Sequence, residues 1–118
     1  MTNRTVNGSI FITGAGGGIG TATARLFAAQ GWHVGGCDLG TAAVESLAAA
    51  IGRERFTPYV ADVRDRAAVA RAVDDFAARC GGRLDAVFAN AGVLFMAPDE
   101  RITPEQKDLQ VDVNVKGV

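Results

Sequence analysis

Residues 10 to 20 read Ile10, Phe11, Ile12, Thr13, Gly14, Ala15, Gly16, Gly17, Gly18, Ile19, Gly20. An apolar run with β-branched residues, too short for a helix, breaks into five glycines and then into helical spacing. That order predicts strand, turn and helix within one unit. Glycines allow positive φ and let a pyrophosphate approach the backbone, while the helix that starts near Gly18 points unpaired N–H groups and the positive end of its dipole at an anion. Such a loop holds phosphate without a basic side chain. Glycines 14, 18 and 20 give GxxxGxG rather than GxGxxG, and no Lys follows, which excludes the phosphate loop of nucleotide hydrolases. The plain alternative is a glycine-rich connector with no ligand, and the remainder of the chain weighs against it.

The 118 residues are 48% hydrophobic and 21% charged, the composition of at most one soluble globular domain, residues 1–118. A net charge of −1 with evenly scattered Lys and Arg leaves no basic face, so neither nucleic acid nor an anionic membrane is expected as a partner. Met1 to Ser9 is polar with one Arg and no long apolar stretch follows, so no secretory signal or membrane span is read and a cytoplasmic location is expected. Cys37 and Cys80 are too few and too distant for a disulfide framework or a zinc site. They read as small buried apolar residues, and no metal site is expected.

Taken in order, Ile19, Ala22, Thr23, Leu26 and Phe27 recur at helical spacing until Gly31. His33 to Asp38 reads as a second strand whose two glycines permit a close approach. Val44, Leu47, Ala48 and Ile51 form the next helical stripe, closed by Gly52. Phe56 to Val60 is a third strand, and Pro58 puts it at a sheet edge. Asp65 caps a longer helix with the inner face Val69, Ala72, Val73, Phe76, Ala77 and Cys80, ended by Gly81 and Gly82. Leu84 to Ala89 is the fourth strand. Strands spaced about 25 residues apart with amphipathic helices between them predict a right-handed βαβ series on a parallel sheet. After a mixed stretch from Val93 to Arg101, Thr103, Pro104, Glu105 and Gln106 supply a cap, a first-turn proline and a capping-box partner for a fifth helix. Leu109, Val111, Val113 and Val115 spread over more than one of its faces.

Asp38 follows the glycine loop by about 20 residues, at the end of the second strand, where a carboxylate accepts hydrogen bonds from both hydroxyls of an adenosine ribose. It would repel a 2′-phosphate, and no Arg or Lys stands at 39 or just before Gly18 to offset that repulsion. NAD is therefore expected over NADP. Asp62 with Val63, and Asn90 with Ala91 and Gly92, close strands three and four, at the carboxyl edge where ligands of open parallel sheets bind. Alone, each of these residues has an ordinary reading as a helix cap, a strand-end turn or a polar helix position.

The stretch TGAGGGIG from Thr13 to Gly20 resembles the TGxxxGIG signature of the short-chain dehydrogenase/reductase family, and further resemblances follow in order. Asp62 and Val63 are similar to its adenine-contacting Asp-Val, and Asn90, Ala91 and Gly92 to its NAG motif. Asp112 to Gly117 is similar to the segment that carries its catalytic Asn, here Asn114. The resemblance covers nearly the whole chain. It implies an α/β fold, a doubly wound, Rossmann-like parallel sheet in the order 3-2-1-4, cut within the fifth helix. It implies NAD contacts from Gly14, Gly17, Gly18, Ile19, Gly20, Asp38, Leu39, Asp62, Val63, Asn90, Ala91 and Gly92, and an Asn114 that holds a water in the relay serving the catalytic lysine. For a full-length form it implies an alcohol or ketone substrate and a homo-oligomer.

That family works through a Ser, a Tyr and a Lys four residues after the Tyr, the lysine lowering the tyrosine pKa for general acid-base chemistry. The one Tyr here, Tyr59, has Val63 four residues on and reads as a residue of the third strand, and the lysines are Lys107 and Lys116. His33 has no nucleophile partner in the pattern. The chain is therefore expected to bind cofactor without oxidising or reducing a substrate, as the N-terminal half of an enzyme whose coding sequence continues past Val118. A free-standing NAD-binding module is the alternative. A methyltransferase is a third reading, opposed by the NAG triplet and the Asn114 segment.

Overall fold

The computed structural model describes residues 7–91 and 104–105. The elements follow as β1 (Ser9–Thr13), α1 (Gly18–Ala29), β2 (His33–Asp38), α2 (Thr41–Ile51), β3 (Phe56–Val60), α3 (Arg66–Arg79) and β4 (Ala86–Ala89). All strand pairs are parallel, in the order β3-β2-β1-β4. Pro58, which has no N–H for a ladder bond, sits on the edge strand β3 as its chemistry requires. The register aligns Thr13 with Cys37 and Ala89, and Asp38 with Val60, so the glycine loop and the ends of β2, β3 and β4 share one edge of the sheet.

The central strand β1 is buried along its whole length and alternates between two apolar layers. Ile10 and Ile12 join Val34 and Phe56 beneath Ala24 and Ala28 of α1 and Leu47 and Ala48 of α2. Phe11 faces the other way with Cys37, beneath Ala72 and Phe76 of α3. Sequestering an aromatic side chain such as Phe11, Phe56 or Phe76 contributes roughly 1.5–3 kcal/mol each. The β2 glycines make room for these rings: a Cβ at Gly35 would lie 2.7 Å from the Phe76 ring, and one at Gly36 would lie 3.0 Å from the Phe56 ring.

Helix α1 packs through its small residues. Its buried residues are Gly20, Ala24 and Ala28, whereas Ile19 and Leu26 are 68% and 57% exposed. A stripe of small residues brings the helix axis close to the sheet, and the larger aliphatic side chains turn away from that contact. The fourth strand is shorter than the sequence suggests. Leu84 and Asp85 precede it, and Asp85 is engaged with Ser9, whose N–H donates to its carboxylate at 2.8 Å. Asp65 does cap α3, accepting from the Ala68 N–H at 3.1 Å. Pro104 and Glu105 are helical. Thr103, Gly92, Asn114 and the valines from 111 to 118 lie outside the described residues. No helix among the described residues is long and apolar enough to cross a membrane.

Candidate functional site at the carboxyl edge of the sheet

The glycine loop is built by backbone conformation. Gly14 has φ +67°, which an L side chain rarely adopts, and a Cβ there would lie 2.8 Å from the Ala91 Cα. Its carbonyl accepts the Gly17 N–H at 3.1 Å, turning the chain into α1 with Gly17 as N-cap. No side chain caps this helix start and no acidic residue stands in its first turn. The N–H groups of Gly18, Ile19 and Gly20 belong to the first turn, which has no partners within the helix, and the dipole adds positive character there. Among the described residues a Cβ on Gly18 would meet nothing within 4 Å, so they leave this end open, whereas Gly20 packs against the Gly14 carbonyl oxygen and the Ala15 Cα. Backbone donors, an open face and glycines that let the backbone be approached suit a phosphate group.

Asp38 stands beside the loop at the end of β2. Its Oδ2 accepts the Gly16 N–H at 2.8 Å and its Oδ1 accepts the Leu39 N–H at 2.8 Å. Leu39 itself is 58% exposed. On the other flank, Thr13 Oγ1 accepts the N–H groups of Asn90 and Ala91 at 3.0 and 3.1 Å, and Asn90 Nδ2 donates to the Gly14 carbonyl at 3.3 Å. The end of β4 is thereby fastened to the loop that follows β1.

Asp62 lies two residues past β3, its carboxylate occupied by Arg64: Nε donates to both oxygens at 3.0 Å, Nη2 to Oδ2 at 2.6 Å, and the Arg64 backbone N–H to Oδ1 at 2.9 Å. These bonds hold the Asp62 carboxyl below the usual carboxylate range. Val63 is buried next to it. The structure therefore brings the glycines, Asp38, Leu39, Asp62, Val63, Asn90 and Ala91 to one edge; Gly92 and Asn114 are not among the described residues.

Sequence patterns did not single out Thr13 as a bracket or Arg64 as the partner of Asp62. An arginine two residues after a strand-end aspartate was the available signal for the second, because such a pair closes on itself in an Asx turn. Tyr59 stands apart from this edge chemistry. It faces α3, its hydroxyl donating to Asp75 at 2.5 Å, and burial followed by that bond pushes the phenol well above its ordinary range. Burial likewise pushes the Cys37 thiol up to about 11. Cys80 and His33 approach to 3.9 Å at the opposite edge, and among the described residues no group of three or more His, Cys, Asp or Glu is placed to hold a metal.

The family model for short chain dehydrogenase matches residues 9–118. The chain belongs to this family. Short chain dehydrogenases are oxidoreductases with an NAD(P)-binding fold, and the 3-2-1-4 sheet with its glycine loop is that fold. The chain is 36% identical over 108 residues to the D-threitol dehydrogenase of Mycolicibacterium smegmatis, covering 90% of itself and 41% of that protein. It is 38% identical over 116 residues to the galactitol 2-dehydrogenase of Agrobacterium fabrum, covering 97% and 44%. A solved structure of 3-ketoacyl-(acyl-carrier-protein) reductase from Brucella melitensis, complexed with NADH, superposes with a TM-score of 0.87 at 34% identity, over 95% of this chain and 46% of that one. The chain thus spans less than half the length of these short chain dehydrogenases.

Proposed function

We propose that this chain is the NAD-binding part of a short chain dehydrogenase that moves hydride between NAD and an alcohol or ketone. The observation that carries the NAD preference is Asp38, a carboxylate at the end of β2 beside the glycine loop. No Lys or Arg occurs from residue 14 to 24 or from 36 to 43 to receive a 2′-phosphate. Gly14, Gly17, Gly18, Ile19 and Gly20 hold the pyrophosphate through backbone N–H groups, and Asp38 and Leu39 receive the adenosine ribose. Asp62 and Val63 meet the adenine, and Asn90, Ala91 and Gly92 meet the nicotinamide ribose. Bound there, the nicotinamide supplies the hydride donor or acceptor. Asn114 positions a water for proton transfer in the whole enzyme. The names of the D-threitol and galactitol dehydrogenases support an alcohol as the reduced substrate.

Residues 1–118 alone bind cofactor and do not turn it over, because the one tyrosine is committed to Asp75 and has no lysine four residues on. Isothermal calorimetry tests the cofactor reading. NAD should bind more tightly than NADP by an order of magnitude or more, the worth of hydrogen bonds to a charged group at about 1.5–3 kcal/mol. Asp38→Ala should narrow the gap. Equal affinities for the two cofactors in the unsubstituted protein would sink the proposal.

A further inference from the structure

Two consecutive residues of the glycine loop are fastened to two consecutive residues at the end of β2. The Ala15 N–H donates to the Cys37 carbonyl at 3.0 Å, and the Gly16 N–H donates to Asp38 Oδ2 at 2.8 Å. The first bond is independent of side-chain identity, whereas the second exists only while residue 38 carries an acceptor. Gly16 has no room for a side chain: a Cβ there would lie 2.5 Å from the Ala43 Cβ and 2.8 Å from Asp38 Oδ2. The loop, the first turn of α2 and the Asp38 carboxylate therefore meet at one point. The next residue, Gly17, is the N-cap of α1.

We infer that Asp38 is a positioning residue for the phosphate loop as well as the acceptor for a ribose. By holding the Gly16 N–H it fixes the path from Gly16 to Gly18, and with it the aim of the first-turn N–H groups of α1. The two duties are compatible. A carboxylate offers about four acceptor directions over its two oxygens. Gly16 and Leu39 take one on each oxygen, which leaves one on each for the two ribose hydroxyls. The ligand side of this inference rests on the NAD reading above; the brace itself does not.

Charge and acceptor are separable by substitution. Asp38→Asn keeps an oxygen for the Gly16 N–H and removes the charge that repels a 2′-phosphate; the N–H of the exposed Leu39 then turns to water. Asp38→Ala removes charge and acceptor together. If Asp38 only selected the ribose, both variants would leave the Gly16 amide as protected without cofactor as it is in the unsubstituted protein. With a brace, Asp38→Asn binds NADP at least as tightly as the unsubstituted protein, and Asp38→Ala binds it about tenfold more weakly than Asp38→Asn.

Amide hydrogen exchange at Gly16, measured without cofactor, supplies the second readout. The amide should be protected in the unsubstituted protein and in Asp38→Asn, and should exchange about tenfold faster in Asp38→Ala. Equal NADP affinities in the two variants, or a Gly16 amide as unprotected in the unsubstituted protein as in a free peptide, would overturn the inference. The second outcome decides even if the alanine variant fails to fold. A protein that showed no preference for NAD would end the cofactor reading while leaving the exchange result in force.

Discussion

Gly18 and Gly20 are separated by one residue and do opposite things. Among the described residues an added methyl at Gly18 enters open space on the face where an anion would sit, while at Gly20 it clashes with the Gly14 carbonyl oxygen and lies 2.9 Å from the Ala15 Cα. Gly20→Ala should therefore destabilise the fold by a net of about 1–2 kcal/mol, because a clash with backbone costs toward the top of the about 1–3 kcal/mol range of overpacking and alanine's helix propensity returns up to about 1 kcal/mol. Gly18→Ala should leave thermal stability unchanged or slightly raised and weaken cofactor binding. Thermal unfolding paired with calorimetry separates the two, and a Gly20→Ala protein that melts with the unsubstituted one would contradict the packing argument. The GxxxGxG spacing was legible in the sequence because each glycine removes a side chain at a fixed offset. The part played by Thr13 was not, because its hydroxyl accepts from Asn90 and Ala91, 77 and 78 residues further on. No local pattern records such a distance.

Elements were legible where one residue type has one physical use. Pro58 marked an edge strand and Asp65 marked the start of α3, because a missing N–H and a short acceptor side chain have narrow roles. The buried face of α1 was not legible for a related reason. Periodicity gives weight to large apolar side chains, but this helix packs through Gly20, Ala24 and Ala28, whose small size is what allows the close approach. The cap on α3 yields a direct test. Asp65 is exposed and accepts the Ala68 N–H, so Asp65→Ala should cost about 1 kcal/mol, the typical worth of such a cap, while Asp65→Asn or Ser recovers most of it. Urea unfolding of the three variants reads the difference from the midpoints. Equal loss in all three would mean that the aspartate acts through its charge and not as a cap.

At the scale of the molecule, the inner strands β1 and β2 lie between two apolar layers, and Cys37 is a titratable side chain sealed there. It pairs with Thr13 on β1 and Tyr59 on β3 in the ladder, and is wholly buried against Phe11, Ala61, Ala72 and Phe76. Two cysteines without a spacing pattern suggested buried apolar residues, and for Cys37 the reason is now physical: a thiolate here would be a charge inside an apolar layer next to the Asp38 carboxylate. Burial first, and that neighbouring charge second, raise its pKa from 9.0 to about 11. The folded state holds the proton longer than the unfolded chain does. The stability this represents is complete below the unfolded pKa and is lost as pH rises through the folded one. A shift of about two pKa units bounds the loss at roughly 2.7 kcal/mol, a sizeable part of the about 5–15 kcal/mol that holds a domain together. Tyr59, raised as well, steepens the decline at the alkaline end. Cys37→Ala leaves a small cavity and should be less stable at neutral pH by about 1 kcal/mol, but its stability should fall less between roughly pH 8 and pH 10.5. Urea midpoints of the two proteins should converge as pH rises and cross before the top of that range. Curves that run parallel would mean that the thiol is not sealed in the sheet.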